Sequence, residues 1–376
     1  FFFSLYLYLP FLTPYLISLG LSATLAGVIF GSHMFMQIAL RFPLGLKSDM
    51  LGKQKVFIVS GMVFSALAAG IMYLYPTPVI IFIGCVIAGV SSTMFVAFTM
   101  LYSKYYAEDS STKAMGAINA MTQAGIFASF LVGGFFYQKA GIKELFFISF
   151  IAAIMGMILS LFVKEQASEP VKIDKTKIAG IMKNRELIVF SVAAILLKTV
   201  VFATAFSFTP KMAQDIGASG TETGIVNALF VAASIIGSIF VTTKAGKRLN
   251  ATKTGVVGFL ILAGYAVSIP FVHSIWLLMV VQVIGGFSYA APNTIFMTYA
   301  VKGLKEEQKT AGMGLYQALY SIGSTLGPII LGIFADGFSY AAGFIVIGAF
   351  SVVGLVFVLL TTRGDAKNAA NNSYIS

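Results

Sequence analysis

Three polar side chains lie inside an otherwise apolar segment that runs from about Ser22 to Leu46. They are His33, Gln37 and Arg41, spaced four residues apart, so a helix places all three on one face. An imidazole can carry a proton near neutral pH, and a guanidinium can bind an anion or a lipid headgroup. Because unsatisfied polar groups are costly against lipid, this face is predicted to line protein or a water-filled cavity.

A lysine lies deep inside another apolar segment. Lys198 is twelve residues beyond Glu186, about 18 Å along a helix, and its side chain of roughly 6 Å cannot reach either membrane surface. Holding a charge there costs about 2.5–3.5 kcal/mol, so a partner is expected. The 14 Asp and Glu residues all fall in predicted loops or at span ends. Either Lys198 is neutral in an empty site, or its counter-ion is the substrate, or carbonyls and tyrosines hold it as a structural donor.

The composition identifies the class of protein. Of 376 residues, 58% are hydrophobic and only 10% are charged, and the mean hydropathy is +0.91. These values are typical of a polytopic membrane protein. The sequence has no G-x-x-x-x-G-K-[ST] phosphate-binding motif and no cluster of metal ligands, so we expect no enzyme, no metal site and no cofactor. A single cysteine, Cys85, rules out a disulfide framework.

Apolar runs and turn residues divide the chain into twelve predicted membrane spans, so an all-α fold is expected. The spans cover roughly residues 1–19, 23–46, 55–75, 78–103, 114–138, 144–163, 187–212, 222–243, 254–273, 275–300, 312–336 and 339–362. Two six-helix bundles, residues 1–163 and 187–363, are predicted, with a linker at 164–186 and a tail at 364–376. The chain opens inside an apolar run, so we expect further residues before Phe1.

The basic residues show how the chain is oriented. Lysines and arginines cluster in alternate loops, whereas the loops between them hold only Lys139, Lys143 and Lys211. This pattern follows the positive-inside rule and predicts a multi-pass protein of the cell membrane with both termini in the cytoplasm. The net charge of +11 therefore reflects membrane orientation, and nucleic acid is not an expected partner. The expected surroundings are the lipid bilayer, and we expect a monomer.

The two predicted bundles are copies of one another. The pattern G-x-S-x-T-x-x-G starts at Gly20 and returns at Gly217, an offset of 197 residues. Residues 86–91 return at 283–288 with the same offset, and Met115-Gly116 returns as Met313-Gly314 at 198. Three registers that agree within one residue indicate a parallel duplication.

The loop after the second span carries the pattern G-x-x-x-D-x-x-G-K-x-K, from Gly45 to Lys55. With this loop the sequence resembles the major facilitator superfamily, which is itself the usual example of transporters built from two parallel halves. Glycines permit a sharp turn, Asp49 can cap a helix N-terminus, and the lysines suit the anionic cytoplasmic surface. The family usually has a basic residue after the aspartate, where this chain has Met50, so a charge latch built on that position is in doubt.

A second motif, G-x-x-x-G-P-x-x-x-G, runs from Gly323 to Gly332 in the eleventh span, and its copy lies in the fifth span. It resembles the glycine-rich motif of exporters and antiporters in the superfamily, although Phe130 stands where their fifth helix has proline. The motif indicates either a pivot between close helices or tight packing with no bearing on the direction of transport. The residues to which we assign a gating or conformational role are Arg41, Gly45, Asp49, Gly52, Lys53, Gly323, Gly327 and Pro328.

The resemblance implies that the first, fourth, seventh and tenth helices line a central cavity, which puts Lys198 beside the solute. The candidate substrate-binding residues are Lys198, Asn119, Gln123, Tyr289, Asn293, Gln317 and Tyr320. His33 is the candidate proton carrier, and the alternative is a hydrogen bond between helices. Arg41 is interpreted as a gate or headgroup contact in preference to a substrate ligand.

The leading hypothesis is a secondary active transporter that moves a small organic anion by alternating access, with H⁺ as the coupling ion. The alternative is an antiporter that exports drugs or lipophilic compounds, which the Gly-Pro motif and the aromatic residues of the first and seventh spans favour. A third hypothesis is a receptor or lipid-handling member of the fold that does not transport.

Overall fold

A computed structural model describes residues 1–105, 111–165, 180–243 and 250–372, without the side chains of residues 49, 111–116, 242, 306, 307, 310 and 362–372. All regular structure within these ranges is helical. Eleven helical spans in them are long and apolar enough to cross a membrane, and a shorter apolar one, Phe2–Ser18, precedes them. The predicted all-α architecture of twelve spans is therefore confirmed.

The first six spans form the first half of the molecule. Their helices are Phe2–Tyr6 with Leu9–Ser18, Ala23–Leu51, Gln54–Leu74, Pro78–Thr93 with Phe95–Lys104, Ser111–Ala140, and Ile142–Leu161. The seventh span consists of Arg185–Val201, a π-helical segment Phe202–Phe208, and Thr209–Asp215. The remaining spans are Gly220–Thr242, Ala251–Ser268 with a 3₁₀ turn Ile269–Phe271, Ile275–Lys302, Glu306–Gly337, and Tyr340–Asn372. Most of the predicted linker lies outside the described residues, so the domain boundaries stay a prediction.

Three spans that the sequence suggested were continuous are interrupted. Pro10 and Pro210 are the second residues of Leu9–Ser18 and Thr209–Asp215, where a proline lacks the N–H that would continue the preceding helix. In the fourth span the break falls at Met94, directly after Thr93, whose hydroxyl donates to the Val90 carbonyl at 2.6 Å. Such back-bonding bends helices.

The duplicated G-x-S-x-T-x-x-G motif forms the same local structure in both copies. Gly20 and Gly217 have φ values of 84° and 90°, and a Cβ at either would meet nothing within 4 Å, so the left-handed backbone is what requires glycine. Ser22 and Ser219 each accept the backbone N–H three residues on, at 3.2 Å in both copies. The motif is thus a turn and an N-cap that start the equivalent second and eighth spans.

The loop after the second span is shorter than the sequence suggested. The second span continues to Leu51, so Asp49 lies within it. Gly52 makes the turn, as predicted, with φ at 59°, and Lys53 is the N-cap residue of the third span. The N-cap position is therefore occupied by Lys53, and the side chain of Asp49 lies outside the described residues. Gating by this loop stays a prediction.

A distant carboxylate binds the N-terminus of the third span instead. Glu165, after the sixth span, accepts the backbone N–H groups of Gln54 and Lys55, each at 2.9 Å. These amides have no partner within their own helix, and a negative charge is favoured beside them. The third and sixth spans are thereby joined at the membrane face that carries Lys53, Lys164, Lys183 and Lys305, which we call the basic face.

The two halves are joined at the other membrane face, which carries the turns at Gly20, Gly141, Gly217 and Gly337 and which we call the glycine face. Asp336, at the end of the eleventh span, accepts the backbone N–H groups of Ala23 and Thr24, both at 2.8 Å. These are first-turn amides of the second span, where a carboxylate is stabilised. The acceptor belongs to the second half and the donors belong to the first.

The duplication places a second link in the equivalent position. Gln138, 198 residues before Asp336, accepts the backbone N–H of Gly220 at 2.5 Å. The fifth span is thereby joined to the start of the eighth, again across the two halves. The two links use repeat-equivalent residues, and only the one at Asp336 carries a charge.

Asp336→Asn is expected to weaken the link at the glycine face by about 0.5–1 kcal/mol, because an amide keeps the shape but loses the charge and one acceptor. States in which this face opens should then be more populated. The measurement is the rate at which a maleimide labels Ser207→Cys. Ser207 is buried between the halves, with its hydroxyl oxygen 3.0 Å from that of Thr13, so it becomes accessible only when this face opens. The native Cys85 is buried. Labelling should be faster with Asp336→Asn than without it.

The control is Glu222→Gln. Glu222 also accepts an N-terminal amide, that of Ser219 at 2.8 Å, but this bond stays within the start of its own helix. Its loss should leave the labelling rate unchanged. Equal rates for Asp336→Asn and the parent protein would contradict a role of the charged link in holding the face closed.

Candidate functional site

Lys198 is buried in the seventh span, with 8% of its surface exposed. Its ammonium donates a hydrogen bond to the hydroxyl of Tyr289 in the tenth span. The nitrogen lies 4.8 Å from the ring centroids of both Tyr289 and Tyr320, and 5.9 Å from that of Phe202. Aromatic faces attract a cation by about 0.5–2 kcal/mol, but they leave its charge in place. We call these four residues the lysine cage.

Within the described residues no carboxylate neutralises Lys198. The ion pair found there joins Lys211 to Asp215, at the glycine-face end of the same span. Asp336 and Glu222 bind helix N-termini at that face. The expectation that the acids lie at span ends is confirmed for these residues, and the cation in the cage has only neutral partners among them.

An aromatic wall extends from the lysine cage into the first half. Phe206 stands at its centre, in the π-helical segment, with its ring centroid 5.0 Å from that of Phe202 and 5.9 Å from that of Phe230. On the other side it contacts Tyr6 at 6.3 Å and Phe130 at 5.9 Å. π-Helical turns occur frequently at functional sites, and this one places a ring between the two halves.

The stripe on the second span is buried, as predicted. His33 Nε2 lies 2.9 Å from the Ser92 hydroxyl oxygen, and Nδ1 has no hydrogen-bond partner among the described residues. Arg41 Nη1 donates to the Gln37 side-chain oxygen at 2.6 Å, while Arg41 Nε has no such partner. The exposed fractions of His33, Gln37 and Arg41 are 0%, 6% and 5%. In this structure Arg41 is shielded by protein, and its assignment to a gate or headgroup contact stays a prediction.

Arg41 lies in the part of the second span that is nearer the basic face. A gap of about 10 Å³ separates Arg41 and Gly45 from the start of the eleventh span at Gly314. The sequence placed Arg41 at a gate, and that role stays a prediction.

The glycines of the eleventh span bring its backbone against the seventh span beside Lys198. A Cβ at Gly323 would lie 2.8 Å from the Ile195 carbonyl carbon, and one at Gly327 would lie 3.0 Å from that of Thr199. Pro328 faces the other way, with its carbonyl carbon 2.8 Å from where a Cβ of Gly27 would be. The motif thus packs between the seventh and second spans, and a pivot at this point stays a prediction.

The other predicted binding residues are only partly gathered at the site. Gln123 donates to the Ser234 hydroxyl at 3.4 Å, between the fifth and eighth spans. Asn119, Asn293 and Gln317 are half-buried, and none of their side chains has a hydrogen bond to Lys198 in the described structure. Tyr289 and Tyr320 do contact the lysine, so two of the six predicted partners belong to the cage.

Two tyrosines near the cage were not among the predicted substrate-binding residues. Tyr316 is buried one helical turn before Tyr320, with ring centroids 5.5 Å apart, and its hydroxyl has no hydrogen-bond partner in the described structure. Tyr6 lies 6.4 Å from His33, ring to ring, and so connects the stripe on the second span to Phe206. The four-residue spacing of Tyr316 and Tyr320 was the available signal.

A larger cavity of about 440 Å³ lies elsewhere, within the first half. It is lined by apolar side chains that include Phe1, Phe2, Phe95 and Phe98. None of the predicted substrate-binding residues contributes to it, and no charged side chain does. The polar and charged groups of the predicted site therefore lie outside this cavity.

Comparison with known proteins identifies the family. The sequence model of the Major Facilitator Superfamily matches residues 1–211 and matches again over residues 190–374. The chain belongs to the Major Facilitator Superfamily. The two matches fall on the two copies of the duplication. As a member of this superfamily the chain is a multi-pass membrane transporter of small molecules and not an enzyme.

The chain is similar to several proteins of the Major Facilitator Superfamily whose names differ in the solute they state. The cis,cis-muconate transport protein of Acinetobacter baylyi is 23% identical over 325 residues, 81% of this chain and 77% of that protein. The quinolone resistance protein NorA of Staphylococcus aureus is 24% identical over 380 residues, 97% of this chain and 95% of that protein. A bacterial homolog of the human lysosomal transporter Spinster, in an inward-facing and occupied conformation, superimposes with a TM-score of 0.79 at 15% identity, covering 96% of this chain and 94% of that one. The structural likeness confirms the twelve-helix fold.

Proposed function

We propose that this protein is a secondary active transporter that moves a small organic anion across the cell membrane by alternating access. The two halves, residues 1–163 and 187–363, rock about the lysine cage. The basic face, the linker and both termini are cytoplasmic. The observation that carries the proposal is the buried ammonium of Lys198, whose described partners are all neutral.

An anionic solute completes the chemistry of this site. An unpaired buried cation is unfavourable, and a bound carboxylate replaces the missing counter-charge with a charge-assisted hydrogen bond. Lys198 lies on the seventh span and Tyr289 on the tenth, so the anion is held between helices that line the cavity in this superfamily. The name of the Acinetobacter relative, a transporter of the organic anion muconate, agrees with this substrate class.

Export of drugs or lipophilic compounds is the second candidate function. The wall of Phe202, Phe206, Phe230 and Tyr6 supports it, because aromatic surfaces suit amphipathic solutes. The name of the NorA relative agrees with it. In that case Lys198 is a structural donor held by Tyr289 and the rings.

The deciding experiment is uptake into proteoliposomes containing the purified protein. Organic anions, organic cations and neutral amphiphiles are compared for wild type, Lys198→Gln and Lys211→Gln, the last being a control whose lysine is paired with Asp215. We expect uptake of anions that Lys198→Gln abolishes and Lys211→Gln leaves intact. Uptake of cations or neutral lipophiles that is insensitive to Lys198→Gln would establish the export function instead. A lack of substrate-dependent flux with any solute would favour a receptor.

His33→Gln is expected to uncouple transport from the proton gradient. The imidazole is buried, with one nitrogen on Ser92 and the other without a described partner, so it can take up a proton only when the site is hydrated. Accumulation driven by a pH gradient should fall to the level reached without the gradient, because no proton then moves with the solute, while exchange of labelled for unlabelled solute continues.

The matched control is His273→Gln, the other histidine of the chain, which is exposed in the loop before the tenth span. It should leave gradient-driven accumulation unchanged. Undiminished accumulation in His33→Gln would show that His33 is a hydrogen-bond donor between helices and nothing more.

A further inference from the structure

Lys198, Phe202 and Phe206 are spaced four residues apart on the seventh span. In a continuous α-helix each step of four residues turns about 40° beyond a full turn, so Phe206 would stand about 80° away from Lys198. The helix becomes π-helical at Phe202, where each hydrogen bond spans five residues and each turn holds more of them. The step from Phe202 to Phe206 therefore turns less, and the two rings stack, with centroids 5.0 Å apart and planes 26° apart. The π-helical segment thus places two stacked rings on the same side of the span as the ammonium.

The rings beside the ammonium form a continuous surface. The Phe206 centroid lies 5.9 Å from that of Phe230, which lies 5.9 Å from that of Tyr289, the residue that accepts the hydrogen bond from Lys198. Phe202 and Phe230 are buried, with 7% and 1% exposed, whereas Phe206 and Tyr289 are half-buried. The site therefore presents one cation at the edge of an aromatic surface, and part of that surface is accessible to a solute.

Rings from the first half cover Phe206 on its other side. The centroids of Tyr6 and Phe130 lie 6.3 Å and 5.9 Å from that of Phe206. When the two halves separate in the proposed transport cycle, these contacts are lost and Phe206 is left without them. An aromatic ring on the solute replaces them, because it offers the same edge and face contacts. A saturated ring fills the same space without those contacts.

The distances at the site suit a small solute. The ammonium lies 5.9 Å from the Phe202 centroid, which lies 5.0 Å from the Phe206 centroid, so the ammonium and the Phe206 ring are no further apart than these two distances together. A hydrogen bond to the ammonium takes up about 2.7–2.9 Å of that length, and a contact between two rings takes up about 4.5–7 Å. What remains is no longer than a carboxylate attached to a single ring.

We propose that the transported solute is a small aryl carboxylate, with its carboxylate bound by Lys198 and its ring packed against Phe206. This rests on the proposed function and narrows its substrate class. The carboxylate supplies the counter-charge that the described residues around Lys198 lack. The Tyr289 hydroxyl, which accepts from the ammonium, can donate its own proton to a carboxylate oxygen.

The test compares each aryl carboxylate with its saturated counterpart, which has the same number of carbon atoms and the same charge. Binding of benzoate and cyclohexanecarboxylate to the purified protein in detergent is measured by calorimetry, together with the pair phenylacetate and cyclohexylacetate. The saturated ring is no less apolar, so burial alone does not disfavour it. We expect benzoate or phenylacetate to bind about two- to tenfold more tightly than its counterpart, the value of an aromatic pair beyond its buried area. Benzamide, which lacks the charge of benzoate, should bind more weakly than benzoate.

Substitutions assign the two parts of the solute to their partners. Phe206→Leu should remove the preference for the aromatic ring and keep the affinity for the saturated acid, since leucine is apolar but has no ring. Lys198→Gln should weaken the binding of both members of each pair alike. The matched control is Phe240→Leu in the eighth span, where the phenylalanine is exposed, and it should leave the preference intact.

The outcomes separate this inference from the proposed function. If both members of each pair bind equally and both need Lys198, the aromatic ring is wrong and the organic-anion transporter stands. The same holds if neither aryl carboxylate binds while the uptake assay finds another organic anion. A preference that survives in Phe206→Leu would overturn the placement of the ring.

Two results would overturn both proposals. One is benzamide binding as tightly as benzoate, because the counter-charge would then be irrelevant. The other is the absence of any organic anion that binds or is taken up. The wild-type comparison of each acid with its saturated counterpart decides the substrate class even if Phe206→Leu does not fold.

Discussion

Lys198→Met is expected to raise the stability of the empty transporter and to abolish anion transport. The ammonium is buried among rings and one hydroxyl with no described counter-charge, and methionine fills a similar volume without a charge. Replacing an uncompensated buried charge with a hydrophobic residue should stabilise the ligand-free protein by about 1–3 kcal/mol. The measurement is thermal unfolding of both proteins in the same detergent.

The response to ligand should change in the opposite direction. A solute at a hundred times its dissociation constant stabilises the wild type by about 2.7 kcal/mol, and Lys198→Met should lose this shift. Tyr289→Phe serves as the control, because it removes only the hydroxyl that accepts from the lysine and keeps the cation. It should lower the stability of the empty protein and keep part of the ligand shift. A Lys198→Met protein that is less stable than wild type would identify Lys198 as a structural donor.

The position of Lys198 inside the membrane could be predicted from the sequence alone. The depth of Lys198 follows from counting residues in an apolar run, and the burial of His33 and Arg41 follows from their four-residue spacing. Both predictions concern a single helix, and within one helix the periodicity and length of the apolar run determine which side chains are buried. The twelve spans were predictable for the same reason, and the repeat added the pairing of the halves.

The relations that the sequence did not reveal are those between helices. That Tyr6 contacts Phe206 depends on how the first and seventh spans pack across the halves, and no periodicity in either segment records it. Glu165 at the start of the third span is a contact between residues more than a hundred positions apart. The breaks within the first, fourth and seventh spans were missed because apolar content does not distinguish a continuous helix from an interrupted one.

One relation between helices could have been predicted from the sequence repeat. Gln138 and Asp336 share the 198-residue offset of the glycines around them, so the repeat already paired them. What it did not show is that each binds the N-terminus of a helix in the opposite half. Because these contacts between the halves are known, substitutions can be designed that disrupt the closed glycine face.

Gly134→Leu is expected to prevent closure of the glycine face and so to abolish transport. A Cβ at Gly134, in the fifth span, would lie 2.9 Å from the Gly220 carbonyl oxygen and 3.0 Å from the Gly224 Cα, both in the eighth span of the other half. These neighbours are backbone atoms, which cannot move aside as a flexible side chain can. Overpacking of this kind costs about 1–3 kcal/mol, which lowers the population of the closed state by roughly five- to 150-fold.

The measurements are uptake into proteoliposomes and maleimide labelling of Ser207→Cys. Uptake should fall to near background while labelling becomes faster, because the spans that shield Ser207 are held apart. The strained contact lies between the halves, so each half keeps its own packing and the protein should still fold. Gly332→Leu, in the repeat-equivalent position, should behave in the same way, since a Cβ there would lie 2.8 Å from the Thr24 Cα.

The matched control is Gly264→Leu in the ninth span. That glycine is also inside a helix, but a Cβ there would meet nothing within 4 Å, so leucine adds helix propensity without strain. Transport and labelling should match the parent protein. If Gly134→Leu transported at the wild-type rate, the closed glycine face would not be an obligatory state of the transport cycle. If it labelled slowly and yet did not transport, the loss would lie in the site and not in the contact between the halves.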